Sequence, residues 1–178
     1  FPKVEIKPCV QKWFILSTLT GRYIGSPESQ MDRDLRAIAA KGFMEFFKEV
    51  EEAELSDTFW EVGLVQNLET SAISSPYFNT FIAAQVHGSD RSLLSNSAKV
   101  ADLLSAGDVH HIFPKEFLKS NGLRFTQYNQ VANFTYLETP INIAIGKKSP
   151  SDYFGAVFRQ CETKKPEIGS MIDIEAIK

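Results

Sequence analysis

Apolar positions recur at intervals of three and four over "VQKWFILSTLTGRY" (10–23), which predicts a helix ending near Gly21. The stretch that follows, "GSPESQMDRDLRAIAAKGFMEFFKEVEEAEL", offers Ser26 as an N-cap and Pro27 at the first helical position. Leu35, Ile38 and Ala39 then recur on one face, and Gly42 divides the long pattern into two helices. Arg22 and Tyr23 are expected to pack or pair between these helices. The acidic run at 49–55 is expected to be a solvated helix face. "SSPYFNTFIAAQVHG" (74–88) repeats the device, with Ser75 as cap, Pro76 opening the helix and His87 complementing the dipole at its end. The first ninety or so residues therefore read as helices joined by short turns.

The texture changes after Gly88. "SDRSLLSNSAKVADLLSAGD" is weakly patterned and reads as loop with a short helix. "DVHHIF" reads as a short strand, and "PKEFLKSNG" as a proline-opened helical turn closed by Asn121-Gly122. "VANFTYLE" (131–138) alternates and is β-branched and aromatic, so it predicts a second strand that begins at Asn133 or just before it. "TPINIAIGKK" predicts a helix with Thr139 as cap and Pro140 as first residue. "SPSDYFGAVFRQ" predicts another, with Ser149 as cap and Asp152 completing a capping box. The order strand, loop, strand, helix covers residues 108–147, a small ββα unit in an otherwise helical chain. The expected class is α+β, mostly α-helical.

Composition narrows the function classes. The 178 residues suffice for a core without covalent staples, and fourteen phenylalanines make that core aromatic. The net charge of −3 is not that of a general nucleic-acid binder, so any contact with DNA is local or needs a metal or another domain. Cys9 and Cys161 fit no metal spacing and read as reduced thiols of a cytoplasmic protein. No apolar run reaches membrane-spanning length. The chain opens on Phe1 in mid-phrase and reads as a fragment of a longer protein.

The candidate chemistry lies in the ββα unit. Two of the three histidines, His110 and His111, end its first strand; Asn133 begins the second; Asn142 sits one turn into the helix, with Lys147 five residues on. A hairpin packed on a helix can bring the strand end and the helix start together, so that an imidazole and an amide oxygen converge beside a second imidazole. Adjacent strand residues point to opposite faces, so both histidines can act at one place only where the strand ends or kinks, as Pro114 suggests. Asp108 lies on the same strand face as His110.

"HHIFP", then "NFTYLETPIN", then "GKK" resemble the ββα-metal finger, the HNH or His-Me nuclease motif. That motif runs Asp/His/Glu-His-Ile-x-Pro, a central Asn, and a final His or Asn on the helix. With "WFILSTLTGRYIGSPESQMDRDL" upstream, the chain is similar over roughly residues 13–158 to the C-terminal nuclease part of GmrSD-like modification-dependent (type IV) restriction endonucleases. The resemblance implies a helical subdomain over 1–100 and a ββα-metal nuclease core with C-terminal helices over 101–178. It implies His111 as the base that activates water, Asn133 as the residue that bridges the loop and orients that base, and His110 and Asn142 as ligands of one divalent ion. Asp108 is either a further ligand or, preferably, a group that holds the ligands. Lys147 is either a phosphate contact or part of a solvated helix end.

The implied activity is phosphodiester hydrolysis of DNA, modified or not, in a larger defence protein whose NTPase and recognition parts lie outside this chain. The family pattern often has Asp or Glu where His110 stands. A His-plus-Asn pair is softer and less charged, and fits Mn²⁺ more readily than Mg²⁺. The reading from another class is a nuclease-derived module that binds DNA or protein without cutting. A structural zinc site is not expected, because the two cysteines and three histidines form no four-ligand set at zinc spacing.

Overall fold

The computed structural model describes residues 3–69 and 73–174. The helical pattern of the first seventy residues folds as α1 (Lys3–Leu19), α2 (Pro27–Lys41) and α3 (Phe43–Glu54), followed by a π-helical turn (Phe59–Gly63) that runs into α4 (Leu64–Leu68). α1 begins well before residue 10 and carries Pro8 within it. Gly42 separates α2 from α3 at φ +85, a conformation that L side chains rarely adopt.

These elements, with the start of α5 (Pro76–Gly88), form one compact unit. Its centre is aromatic. The Trp13 ring lies 5.2 Å from Phe46, 6.2 Å from Phe47 and 6.4 Å from Tyr23. The Arg22 guanidinium stands over Trp13 at 5.4 Å. The buried position of α2 is Asp34, not the neighbouring Leu35, which is 66% exposed. Asp34 is drawn in because Arg22 grips both its oxygens, at 2.8 and 2.6 Å, while the Tyr23 hydroxyl and Gln30 donate to it at 2.8 and 3.0 Å. Arg22 also pairs with Glu54, and Lys41 with Glu49, so the acidic run is partly held in ion pairs.

The second unit holds the rest of α5 and the chain beyond it. It comprises α6 (Val100–Leu103), β1 (Asp108–His111), α7 (Lys115–Ser120), α8 (Phe125–Tyr128), a 3-10 turn (Val131–Asn133), β2 (Phe134–Leu137), α9 (Thr139–Ile145) and α10 (Pro150–Thr163). The division falls near residue 80, and the weakly patterned 89–106 segment is tied into this unit. Ser92 donates to the Tyr136 carbonyl at 3.0 Å, and the Leu94 carbonyl accepts from Ser170 and Met171. Gly169, at φ +69, is required there: a Cβ would strike the Leu94 carbonyl oxygen.

β1 and β2 pair antiparallel, His110 opposite Thr135 and His111 opposite Phe134, and α9 packs against β1. Leu137, Ile141, Ile145, Tyr153, Val157 and Met171 belong to one buried hydrophobic core. Gln160, fully buried in α10, uses its whole amide on the tail: it donates to the carbonyls of Ile168 and Met171 and accepts from the N–H groups of Glu167 and Ile168. Cys9 and Cys161 are both free thiols. Among the described residues no helix is long and apolar enough to cross a membrane.

Three boundaries differ from the pattern. The first strand stops at His111, since Pro114 takes the chain away from the ladder and only the Ile112 N–H continues it, to the Asn133 carbonyl at 2.9 Å. Asn133 closes a 3-10 turn and β2 starts after it. The cap of α9 is Glu138, with Thr139 already helical.

Candidate functional site

Gly107 delivers the chain into β1. A Cβ there would meet the Leu103 side chain at 2.7 Å and the Leu137 carbonyl at 2.8 Å, so only glycine lets β1 lie this close to the end of β2. Period-two alternation then turns Asp108 and His110 to one face. On that face α9 presents Asn142, its fourth residue. His110 Nδ1 and Asn142 Oδ1 are 2.6 Å apart, and Asn142 Nδ2 donates to Asp108 Oδ2 at 3.2 Å. The carboxylate accepts only, so it fixes which end of the amide faces the ring. With the amide oxygen toward it, His110 donates from Nδ1 and keeps its lone pair on Nε2.

That Nε2 is buried and has no partner among the described residues. Glu54 Oε2 and Gln85 Oε1 share this state, but both belong to partly exposed residues, whereas His110 is only 5% exposed. Burial pushes the His110 imidazole below its ordinary pKa, and the nearby His111 adds to this. The bond to Asn142 and the charge of Asp108 oppose it without reversing it. His110 is thus kept neutral, the state in which imidazole binds a metal.

His111 ends β1 half-buried, its ring 5.0 Å from Phe134 and 6.1 Å from Tyr128. Its Nε2 meets Asn129 Oδ1 at 2.8 Å. Asn133, expected to orient this ring, bonds through its amide to the backbone on either side of it. Its amide accepts from the Phe113 N–H at 2.7 Å and donates to the carbonyls of Phe113 and Tyr128 at 3.2 and 2.9 Å. It clamps the two chain segments that carry His111 and Asn129. Tyr153, rising from α10, donates its hydroxyl to the Ile112 carbonyl at 2.5 Å, and burial pushes that hydroxyl's pKa up.

His110, His111 and Asn142 line one open cleft of about 240 Å³, together with Val109, Pro114, Lys115, Glu116 and Gly146. Lys147 lies exposed just past α9 and is not part of this lining. Lys115, directly after Pro114, is the lysine on the cleft. Asn129 and Lys115 are the two residues that sequence reasoning passed over. Lys115 adjoins the histidine motif; Asn129 carries no local signal.

His110 and Asn142 can donate to one divalent ion only once the proton between Nδ1 and the amide oxygen is displaced. An imidazole nitrogen and an amide oxygen from separate elements already meet, with Asp108 steadying the amide, and imidazole suits Mn²⁺ and its transition-metal neighbours. Among the described residues no group of three His, Cys, Asp or Glu side chains converges, so an ion here would rely on Asn142 and on ligands from outside the chain.

No family model and no solved structure matches this chain. One curated relative does: an uncharacterized protein of Methanocaldococcus jannaschii, 31% identical over 154 residues, which cover 81% of this chain and 24% of the relative. The chain thus spans about a quarter of the length of the curated relative it matches.

Proposed function

We propose that the second unit is a metal-dependent DNA endonuclease core of the ββα-metal (HNH) type. The observation that carries this is the convergence of His110 from β1 and Asn142 from α9 at 2.6 Å, on a cleft that His111 also lines. In this reading His111 accepts the proton of the attacking water as general base. His110 and Asn142 would hold a divalent ion, Mn²⁺ in preference to Mg²⁺, in place of the proton between Nδ1 and the amide oxygen, that proton passing to Nε2, with Asp108 orienting Asn142. Bound there, the ion supplies positive charge that offsets the charge on the phosphate and on the departing 3′-oxygen. Lys115, on the cleft, takes the phosphate-contact role in place of Lys147. Asn133 acts on the base through the backbone, by clamping the segments on either side of it.

The larger reading is a nuclease part of a cytoplasmic, GmrSD-like modification-dependent restriction protein, joined to NTPase and recognition parts. The much greater length of the archaeal relative is compatible with such an assembly. The net charge of −3 and the His-plus-Asn pair leave room for a second reading, a nuclease-derived module that binds DNA or protein without cutting.

Plasmid nicking with Mn²⁺ or Mg²⁺, comparing the wild type with His111→Ala, separates them. Metal-dependent nicking lost in the variant supports the enzyme. Nicking that persists in the variant removes His111 as the base. An absence of nicking by the intact protein, on modified and unmodified DNA, leaves the binding module.

A further inference from the structure

We infer that Asn129 is a positioning residue for His111, and that two asparagines hold the adjacent histidines in opposite tautomers. The inference that a base is being positioned rests on the proposed nuclease reading; the tautomers themselves do not. A neutral imidazole has one proton for two nitrogens. The Asn129 amide oxygen stands 2.8 Å from His111 Nε2 and can only accept, so the proton is on Nε2 and the lone pair is on Nδ1. At His110 the assignment is reversed. The Asn142 oxygen faces Nδ1, Asp108 keeps it there, and the lone pair is on Nε2.

Both ends of the His111–Asn129 contact are anchored. Asn129 follows α8, with its N–H on the Phe125 carbonyl at 3.1 Å, and its neighbour Tyr128 is 4% exposed. The Tyr128 carbonyl and the Phe113 backbone are held by one amide, that of Asn133. The Ile112 carbonyl, next to His111, is held by Tyr153. The ring of His111 lies edge-on to Phe134, its centroid 5.0 Å away. A general base needs its reactive nitrogen bare and its other nitrogen occupied. Asn129 provides that state before any substrate arrives.

The test is long-range ¹H–¹⁵N spectroscopy of the histidine rings in the metal-free full chain, with three rings to assign. The expected wild-type result is Nε2–H at His111 and Nδ1–H at His110. In Asn129→Ala, His111 changes to a mixture of tautomers while His110 is unmoved, and Mn²⁺-dependent nicking falls about 10- to 100-fold. Asn129→Asp, which keeps an acceptor oxygen, restores both the His111 tautomer and most of the rate. A His111 ring that is Nδ1–H in the wild type overturns the inference, as does one unchanged by Asn129→Ala. If Asn129→Ala fails to fold, the wild-type and Asn129→Asp spectra still decide. A chain that nicks no DNA ends the nuclease reading, and the spectra then judge the tautomers alone.

Discussion

Asp34 in the first unit and His110 in the second are almost equally buried, at 4% and 5% exposure. Their surroundings differ. Asp34 receives four hydrogen bonds from Arg22, Tyr23 and Gln30, two on each oxygen, and has no capacity left for a ligand. His110 has one bond, to Asn142, and a second nitrogen with no partner among the described residues. A saturated cluster ties helices together. An incompletely satisfied one, held neutral and lining a cleft, has the form of a binding site. Buried polarity alone thus does not mark function; unmet capacity beside an opening does.

The comparison breaks most sharply at His111. Its replacement by Ala is expected to reduce Mn²⁺-dependent nicking by about 10²- to 10⁴-fold, the usual worth of a general base. The thermal midpoint should stay close to that of the wild type, because the ring is half-buried and its loss leaves no buried charge. A stability loss that explains the lost activity would put His111 in the same structural class as Asp34.

Arg22→Ala gives the converse result. It leaves the Asp34 carboxylate buried without its cation, at an expected cost of about 3–5 kcal/mol, read from denaturant midpoints with Trp13 fluorescence as the local probe. At temperatures where the variant remains folded, its nicking rate per folded molecule should match the wild type. A specific loss of rate would mean that the saturated cluster has a role in the chemistry.

Asn142→Ala tests the open cluster. It removes the amide oxygen and leaves Nδ1 of His110 without its acceptor, costing about 1–3 kcal/mol. Mn²⁺ affinity, measured by calorimetry on the full chain, should fall about 10- to 100-fold. Asp108→Ala should weaken Mn²⁺ binding less, because it only frees the amide to turn. Equal Mn²⁺ binding by wild type and Asn142→Ala would remove this pair as the metal site.

What the sequence makes legible follows from the range over which each feature is decided. Pro27, Gly42, Pro76 and Ser149-Pro150 act within one turn, so the openings of α2, α5 and α10 and the break before α3 are readable from local chemistry. The ββα order is readable because β-branched alternation and a Thr-Pro opening are equally local. Asp34 is not, because a carboxylate in a helical pattern reads as solvent-facing until Arg22 is seen opposite it. Asn129 is not, because its contact with His111 spans 18 residues and depends on α8, a single turn with no strong signal. Asn142 is legible as a polar residue one turn into a helix; what brings it to His110 is the packing of α9 on β1.

The smallest expected effect is one of pH, and it concerns the saturated cluster. Burial pushes the Asp34 carboxyl up, but the hydrogen bonds from Arg22, Tyr23 and Gln30 and the Arg22 charge outweigh it, so its pKa lies below the ordinary carboxylate value. A carboxyl that is more acidic folded than unfolded contributes stability above its unfolded pKa, near 3.9, and loses it as pH falls through the folded value. The first unit should therefore weaken as pH drops below about 4, with the protection of amides in α2 and around Trp13, corrected for intrinsic exchange, falling below its value at neutral pH. Asp34→Asn keeps the shape and removes the titration. It should be less stable at pH 7, since Arg22 loses its charged partner, yet show a flatter decline between about pH 4 and pH 2. Equal acid slopes for the two proteins would move the acid sensitivity of the first unit from Asp34 to its surface carboxylates.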